Sequence, residues 1–398
     1  MWYENSFMMR FYSFIFIALM NMILLMFISL PNLQYSENSF IFKFIPFVSN
    51  FFAPNLGIAF FSIQNRFSHS FSLIHLINLI YIQMSMKNSN LFFLRYTLNV
   101  SEDGYNSWSG VWCAVFKKGE KPLGVCRKFP LSAFHNINKN FLVKIGEENE
   151  IAEKKLKGKI NVRNILTEWE IEFEPTGYVY KHLPEAAYYL PLETEVLSPN
   201  PDLKLKGYIK VKNLETQSQI HDIKVDGKGY QTHIWGTKHA FRWVWGHCNA
   251  ILDENGEMLE DSFFEGLTVV AKRGPIILPP MTLFSLRYKG KNFDFNNFRD
   301  ILFNSAKWEY GDSIRWEVRS KKMNFNLVMK GEKNNFIVAT YEDPDGENAF
   351  CHNSEIESAE IEIEIDDKKV KLFCPGTFHT EFGARAPLEY NPQKFIYE

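Results

Sequence analysis

The strongest pattern in this chain is an alternation of apolar and polar residues, which from about residue 105 has the two-residue period of a β-strand. Ile314, Trp316 and Val318 alternate with three charged residues. Because successive side chains of a strand point to opposite faces, we expect one face here to be buried and the other to contact water.

A β-hairpin is predicted near the end of the chain. Isoleucines alternate with glutamates over residues 360–365, Asp366-Asp367 supplies a turn, and Val370 and Leu372 then alternate with lysines. Glutamates would face lysines across the two strands, which is mildly stabilising. We therefore interpret these charge runs as the solvated face of a sheet.

Helical patterns are few. Phe298, Ile301 and Leu302 have helical spacing, so residues 296–305 are predicted to form a short helix, and residues 183–190 either a helical turn or a loop. Short strands with turn signals at nearly regular spacing are typical of a sandwich or barrel. The predicted fold is all-β.

The length of 398 residues allows two or three domains. A β pattern of about 300 residues is too long for one eight-stranded barrel, so two tandem barrels or half-barrels fit better. We predict three segments: an apolar N-terminal segment at 1–96, a first β-domain at 97–238 and a second at 239–398.

The segment 229–251 is the most informative for function, because three tryptophans and three histidines lie within 15 residues of it. Read as a strand, it places His233 and Trp235 on one face. Farther along, one face would carry Phe241, Trp243, Trp245, His247, Asn249 and Ile251. Large rings with a few polar groups are expected of a ligand pocket, although buried tryptophan is also common in β-protein cores.

This segment also carries a family resemblance. Gly229-Tyr230, His233 and Trp235-Gly236, followed by Trp243 and Trp245-Gly246-His247-Cys248-Asn249, resemble the signature of the lipocalin-like superfamily of carotenoid 1,2-hydratases (hydroxyneurosporene synthases) and tocopherol cyclases. Gly376–Phe382 is similar to a closing strand of the same fold. The resemblance implies tandem lipocalin-like β-barrels or half-barrels. In many relatives an acidic residue precedes the motif histidine, whereas here the position is Thr232.

The chemistry implied by the resemblance is protonation of an alkene, followed by capture of the carbocation by water or a phenol oxygen. The donor must be an acid in a low-dielectric site, where the pKa of a carboxyl group rises. His233 is the candidate general acid or base, with Glu265 or Asp261 as its partner. Glu265 lies between apolar residues, an unusual context for a carboxylate.

The implied ligand is a hydrophobic small molecule of the isoprenoid type, and the implied enzyme is a cofactor-independent hydratase (a lyase) or cyclase (an isomerase). Aromatic ring faces would shield the cation, since cation–π attraction strengthens when water is excluded. The residues expected to bind the ligand are Tyr230, Trp235, Phe241, Trp243, Trp245, His247, Asn249, His379 and Glu381.

Several function classes are disfavoured. The 44 basic and 46 acidic residues are nearly balanced, without a basic cluster that would follow phosphates, so we expect no nucleic-acid partner. The five cysteines are widely spaced, which argues against a metal knuckle or a disulfide framework and predicts reduced thiols. Motifs of phosphate loops, dinucleotide folds, serine hydrolases and zinc proteases are absent from the sequence. We expect neither a metal nor a cofactor.

The N-terminal segment differs from the rest. Residues 11–30 are uncharged and predominantly apolar, and 20 helical residues span about 30 Å, so they form a candidate transmembrane helix. Equally, residues 1–83 have the composition of a translated non-coding stretch, with Met84 or Met86 as the true start. The first interpretation predicts membrane association with a cytoplasmic β-domain, and the second a cytoplasmic protein.

Two alternatives to an enzyme stay open. The first is a non-catalytic carrier of lipids or isoprenoids on the same fold, which Thr232 favours. The second is an aromatic-lined carbohydrate-binding β-sandwich, which would bind sugars on exposed tryptophan faces.

Overall fold

The computed structural model describes residues 90–137, 142–174, 177–189, 192–388 and 392–398. In this part of the chain the predicted all-β fold is confirmed, because antiparallel sheets make up most of the structure. The candidate transmembrane helix at 11–30 lies outside the described residues. Within them, no helix has the length and apolar character needed to cross a bilayer.

Sheet 1 is the smallest of the three main sheets. Its strands are antiparallel except for β25, which is parallel to β3, and they follow the order β1-β2-β3-β25. The bounds are β1 (Asn90–Asn99), β2 (Trp108–Lys117), β3 (Leu123–Pro130) and β25 (Ile396–Tyr397).

Sheet 2 is a meander with the order β11-β10-β8-β7-β6-β5-β4. The short strand β9 pairs with β10 near its start, at Leu197 and Ser198. The bounds are β4 (Phe134–Ile137), β5 (Leu142–Ile145), β6 (Asn149–Ala152), β7 (Lys155–Val162), β8 (Ile165–Glu174), β9 (Tyr180–Lys181), β10 (Thr194–Asn213) and β11 (Gln219–Gly236).

Sheet 3 is the largest, with the order β17-β16-β13-β12-β23-β22-β20-β19-β18, and β21 and β24 extend it from β22. The bounds are β12 (Arg242–Cys248), β13 (Phe263–Val270), β16 (Met281–Tyr288), β17 (Lys291–Asp294), β18 (Ser305–Tyr310), β19 (Ile314–Ser320), β20 (Phe325–Gly331), β21 (Ile337–Glu342), β22 (Asn348–Ile365), β23 (Lys368–Ala384) and β24 (Gln393–Lys394).

The small elements complete the fold. The two-residue strands β14 (Lys272–Arg273) and β15 (Ile276–Ile277) pair with each other, and the helix α1 (Phe298–Phe303) confirms the helix predicted at 296–305. The stretch 183–190 contains a 3₁₀ turn, Glu185–Tyr189, and further 3₁₀ turns among the described residues are Leu131–Ala133, Lys322–Asn324 and Lys333–Asn335.

The predicted terminal hairpin is present as β22 and β23. Ile365 pairs with Lys368, and both turn residues have positive φ, 50° at Asp366 and 61° at Asp367. Aspartate tolerates this conformation better than most residues, so the turn is locally encoded. Glu362 Oε2 lies 2.8 Å from Lys369 Nζ across the strands, as the alternation predicted.

The segment 229–251 is not one continuous strand, which corrects the sequence interpretation. It leaves sheet 2 at Gly236 and enters sheet 3 at Arg242. Gly236 has a φ of 145°, and a Cβ at this position would lie 2.1 Å from the carbonyl oxygen of Glu193. Only glycine fits such an approach, so the chain can change sheets there. The division into domains at 97–238 and 239–398 stays a prediction.

Two apolar cores position the functional residues. The first gathers side chains of sheets 1 and 2 with one face of sheet 3, including Tyr230, Trp243 and Trp245. The second lies on the other face of sheet 3 and includes Val244 and Cys248. The alternation predicted for residues 243–248 is therefore confirmed.

Candidate functional site

Polar side chains lie on four adjacent strands of sheet 3, on the face toward the first core. His247 of β12 pairs with Glu265 of β13 on one side and with His379 of β23 on the other. Trp245 pairs with Glu381 in the same register. Because residues two apart in a strand share a face, these side chains project together into the interior.

Glu265 is held by residues of the opposite sheet. Its side chain is fully buried, and its Oε1 lies 2.6 Å from His182 Nε2. The same oxygen accepts hydrogen bonds from Ser198 Oγ at 2.7 Å and from Trp245 Nε1 at 3.4 Å. His182 follows β9 and Ser198 belongs to β10, so sheet 2 encloses the carboxyl group of sheet 3.

The charge of Glu265 follows from these neighbours. Burial alone would raise the pKa of Glu265, but the nearby His182, its hydrogen bond and the nearby His247 outweigh it and hold the pKa below its usual value. Glu265 Oε2 lies 3.5 Å from His247 Nδ1. Glu265 is therefore an ionised carboxylate at neutral pH.

Glu355 and His379 form a second carboxyl–imidazole pair, in which the pKa of the carboxyl group is raised instead of lowered. His379 Nδ1 contacts Glu355 Oε2, and both side chains are buried. Burial raises the pKa of Glu355 to about 8, against the lowering effects of an Asn353 hydrogen bond and of His247. Burial also lowers the pKa of His379 well below its usual value. At neutral pH we therefore assign a protonated carboxyl group beside a neutral imidazole.

Tyr230 and His247 lie between the two pairs. The ring of Tyr230 stacks on His247 with centroids 4.1 Å apart and meets His379 edge-on at 4.9 Å. The rings of His247 and His379 are 5.9 Å apart. We refer to the following residues as the polar cluster: His182, Ser198, Tyr230, His247, Glu265, Glu355 and His379.

Several polar atoms of the cluster are buried without a hydrogen-bond partner among the described residues. They are His182 Nδ1, both ring nitrogens of His247, Glu265 Oε2, Glu355 Oε1 and His379 Nε2, and Asn249 Oδ1 shares this property. Leaving such a group unpaired costs about 1–3 kcal/mol. The concentration of these atoms in one place is typical of a site that binds a polar part of a ligand, or water.

The structure gives no ready metal site in the described ranges. Within residues 90–137, 142–174, 177–189, 192–388 and 392–398, no group of three or more His, Cys, Asp or Glu residues is arranged to hold a metal ion. The five cysteines are buried and free.

The structure brings most of the residues predicted from the sequence close to the polar cluster. Tyr230, Trp245, His247, Glu265 and His379 belong to it or contact it directly. Three further predicted residues make hydrogen bonds close to the cluster. Trp243 Nε1 donates to Glu381 Oε2 at 3.4 Å, and Asn249 Nδ2 donates to the Gly229 carbonyl oxygen at 2.7 Å.

His233 and Trp235 lie on the other side of β11. Thr232 Oγ1 lies 3.0 Å from Ser198 Oγ, on the side of the polar cluster. His233 comes next in the strand and therefore points away from Glu265. Its ring stacks on Trp235 at 4.8 Å, and burial lowers the pKa of His233 to about 4. The predicted pairing of His233 with Glu265 is not formed.

Asp261 and Phe241 are not brought to the cluster either. Asp261 accepts hydrogen bonds from Arg287 Nε at 2.6 Å and Nη2 at 2.8 Å, and its side chain is 58% exposed. Phe241 is partly buried and packs under the guanidinium of Arg242 at 5.2 Å. Both side chains therefore make contacts near the protein surface and not with the polar cluster.

Three residues of the cluster were missed by the sequence analysis: His182, Ser198 and Glu355. His182 and Ser198 carry no local signal, because only the packing of sheet 2 on sheet 3 makes them neighbours of Glu265. Glu355 lies near a run of solvent-facing glutamates, which conceals it.

A surface groove lies next to the polar cluster. It has a volume of about 330 Å³ and is lined by residues 178–181, 183–185, Asp294, Asn296 and Asn297. The buried ring of Tyr180 packs on His182 with centroids 4.7 Å apart. Tyr180 therefore both lines the groove and contacts His182 of the His182–Glu265 pair.

Comparisons with known proteins give distant likenesses. No protein-family model matches the chain. Over 219 residues it is 24% identical to uncharacterized proteins of Mycobacterium tuberculosis strains CDC 1551 / Oshkosh and ATCC 25618 / H37Rv. The match covers 54% of this chain and 60% of each relative, so the chain spans less than two thirds of their length.

Two solved structures are similar in outline. One is kievitone hydratase from Nectria haematococca, at 9% identity and a TM-score of 0.49, covering 77% of this chain and 87% of that one. The other is CghA with Sch210972, also at 9% identity and a TM-score of 0.49, covering 78% and 88%. Such weak likenesses leave the reaction to be argued from the polar cluster.

Proposed function

We propose that the protein is a cofactor-independent acid–base enzyme that hydrates or cyclises a prenyl-type double bond in a hydrophobic small molecule. The observation that carries the proposal is the pair of buried carboxyl groups in one interior, Glu265 held by His182 and Ser198 and Glu355 in contact with His379. Burial raises the pKa of Glu355, whereas the neighbours of Glu265 lower its pKa. Carboxyl groups whose environments separate their pKa values are a recurrent arrangement for acid and base roles.

Glu355 is the proposed proton donor. It is protonated at neutral pH, and its Oε1 has no hydrogen-bond partner among the described residues, so this oxygen can face the ligand. The O–H bond of Glu355 breaks, its proton forms a C–H bond at one alkene carbon, and the other carbon becomes a tertiary cation. The contact of His379 Nδ1 with Glu355 Oε2 holds the carboxyl group in position.

The cation would be stabilised by rings and by one negative charge. Tyr230 and Trp245 have ring centroids 5.6 Å apart, and both are buried, so their faces are screened from water. The Glu265 carboxylate adds an attractive charge on the same side, next to His247. In a dry interior such a charge acts more strongly than in water.

Capture of the cation completes the reaction. In hydration, a water oxygen bonds to the cation and the extra proton passes to the Glu355 carboxylate, directly or through His247 or His379. In cyclisation, a hydroxyl oxygen of the ligand takes the place of water. Both routes regenerate Glu355 and require no electron transfer, so we propose that the protein needs no cofactor.

The carrier alternative uses the same interior without proton transfer. The apolar side chains around the cluster, such as Phe263 and Trp245, suit an isoprenoid in either case.

The carbohydrate alternative is less favoured, because Trp243 and Trp245 are buried and present no exposed ring face.

Solvent deuterium distinguishes the enzyme from the carrier. The full chain is incubated in D₂O with a panel of prenylated quinols and carotenoids, and the products are examined by mass spectrometry and NMR. We expect one deuterium on carbon at the former double bond, together with an added water or a new ring. Binding of a ligand that is returned unlabelled would establish the carrier and contradict the enzyme.

A further inference from the structure

The helix α1 exposes its apolar side chains. Phe298, Leu302 and Phe303 are 48%, 69% and 56% exposed, and none of the helix residues is buried. A short helix that contributed only to folding would turn such residues toward the core. Such a group of exposed apolar side chains is typical of a contact surface.

Neighbouring segments extend the apolar area. Asn297 caps α1 and lines the groove together with Val179, which is 50% exposed. At the other end of the helix, Asn304 Nδ2 donates to the Thr282 carbonyl oxygen at 3.0 Å, next to the exposed Met281. We define the α1 surface as Val179, Met281, Phe298, Leu302 and Phe303.

Basic side chains lie beside this surface, near Phe303. Arg319 and Lys321 line a second surface cavity of about 370 Å³ together with Phe303. Lys322 Nζ lies 3.0 Å from Asp300 within α1. Arg299 of the helix and Lys321 have no ion-pair partner in the described ranges, so their charges are available to an outside anion.

We propose that the α1 surface docks on an anionic lipid bilayer. Exposed aromatic and aliphatic side chains beside unpaired cations are the combination that binds the bilayer interface, where apolar groups enter the acyl boundary and cations contact lipid phosphates. Phe298, Leu302 and Phe303 supply the apolar part, and Arg299 and Lys321 the cationic part.

Docking would place the groove at the membrane. Asn296 and Asn297 line the groove and lead directly into α1, so an insertion of Leu302 and Phe303 brings the groove opening next to the lipids. A ligand dissolved in the bilayer could then approach Tyr180 and His182 without crossing water. The proposal extends the proposed function but is tested without any turnover.

A local probe tests the docking. All five native cysteines are buried, so the full chain with Leu302→Cys can be labelled selectively at the surface with an environment-sensitive fluorophore. We expect a blue shift and quenching by lipid-borne nitroxides with vesicles of 70% phosphatidylcholine and 30% phosphatidylglycerol, and little change with phosphatidylcholine alone. Tyr105→Cys is the matched control, because Tyr105 is 93% exposed in the loop between β1 and β2.

Charge variants complete the test. Arg299→Ser with Lys321→Ser should weaken the affinity for anionic vesicles about thirtyfold, since each cation near an anionic surface contributes roughly one kcal/mol and about 1.4 kcal/mol is a factor of ten. Lys118→Ser with Lys121→Ser, two exposed lysines after β2, should leave it unchanged. A probe at 302 that stays water-like, or matches the probe at 105, would overturn the proposal. So would burial of the probe in a dimer without lipid.

Discussion

Replacing Glu355 by glutamine is expected to remove turnover while leaving the protein folded and able to bind its ligand. Glutamine keeps the size of the side chain and a hydrogen bond to His379 but has no acidic proton. General acid–base groups contribute about 10²- to 10⁴-fold to rate, so we expect a loss of kcat of that size. The measurement is the rate of deuterium incorporation into the ligand, with ligand affinity determined in parallel.

Glu357→Gln is the matched control for this variant. Glu357 is also a buried carboxyl group on β22, but its Oε2 accepts from the Glu332 backbone nitrogen at 3.0 Å and its Oε1 from Ser354 at 2.7 Å. Its loss should change kcat only a few-fold.

Wild-type kcat should also fall above about pH 8, where Glu355 loses its proton. An active Glu355→Gln enzyme would exclude Glu355 as the donor.

The second large effect concerns stability as a function of pH. The pKa of Glu355 is raised from 4.5 to about 8 in the folded protein, so between these values the folded state binds more protons than the unfolded state. The contribution of this group to stability is therefore fully present below pH 4.5 and lost as pH rises toward 8. The shift corresponds to about 5 kcal/mol over that range.

Glu355→Gln removes this dependence, because glutamine does not titrate. We expect the free energy of unfolding of the wild type, measured relative to the variant by urea titration, to decrease by several kcal/mol between pH 5 and pH 8.5. Comparing the two proteins cancels the contribution of buried histidines such as His247 and His233, whose lowered pKa values act in the opposite direction. A difference that stays constant with pH would mean that Glu355 is ionised in the fold.

Much of the sheet structure could be predicted because it is encoded locally. The alternation of Ile314, Trp316 and Val318 requires only neighbouring residues, and the turn at Asp366-Asp367 follows from aspartate's tolerance of positive φ. Glu265 could be singled out for the same reason, since a carboxylate among buried phenylalanines is anomalous within five residues of sequence.

Glu355 could not be predicted because a bulge changes its face. The β22–β23 register shifts between Ser354 and Glu357, and again before Ala359. Cys351 therefore belongs to the first core and Ile361 to the second, although both are an even number of residues from Glu355. The alternation of the later glutamates gives no sign of this, since a bulge is set by tertiary packing.

His182 and Ser198 depend on long-range contacts. They reach Glu265 over 83 and 67 residues of chain, and no local pattern encodes such a contact. The predicted pairing of His233 with Glu265 does not form for a related reason. The period of two gives the residues that share a face with His233, but only the packing shows which face of β11 meets sheet 3.

The central claim is that one of two buried carboxyl groups, Glu355, is neutral at pH 7 while the other, Glu265, is ionised. Carbon NMR of the side-chain carboxyl groups tests this claim most directly. With ¹³C-labelled glutamate, and with Glu355→Gln and Glu265→Gln to assign the signals, each carboxyl is titrated between pH 4.5 and 9. The account predicts that the Glu355 signal titrates near pH 8 while Glu265 stays ionised throughout. A Glu355 signal that is already that of a carboxylate at pH 6 would contradict the account.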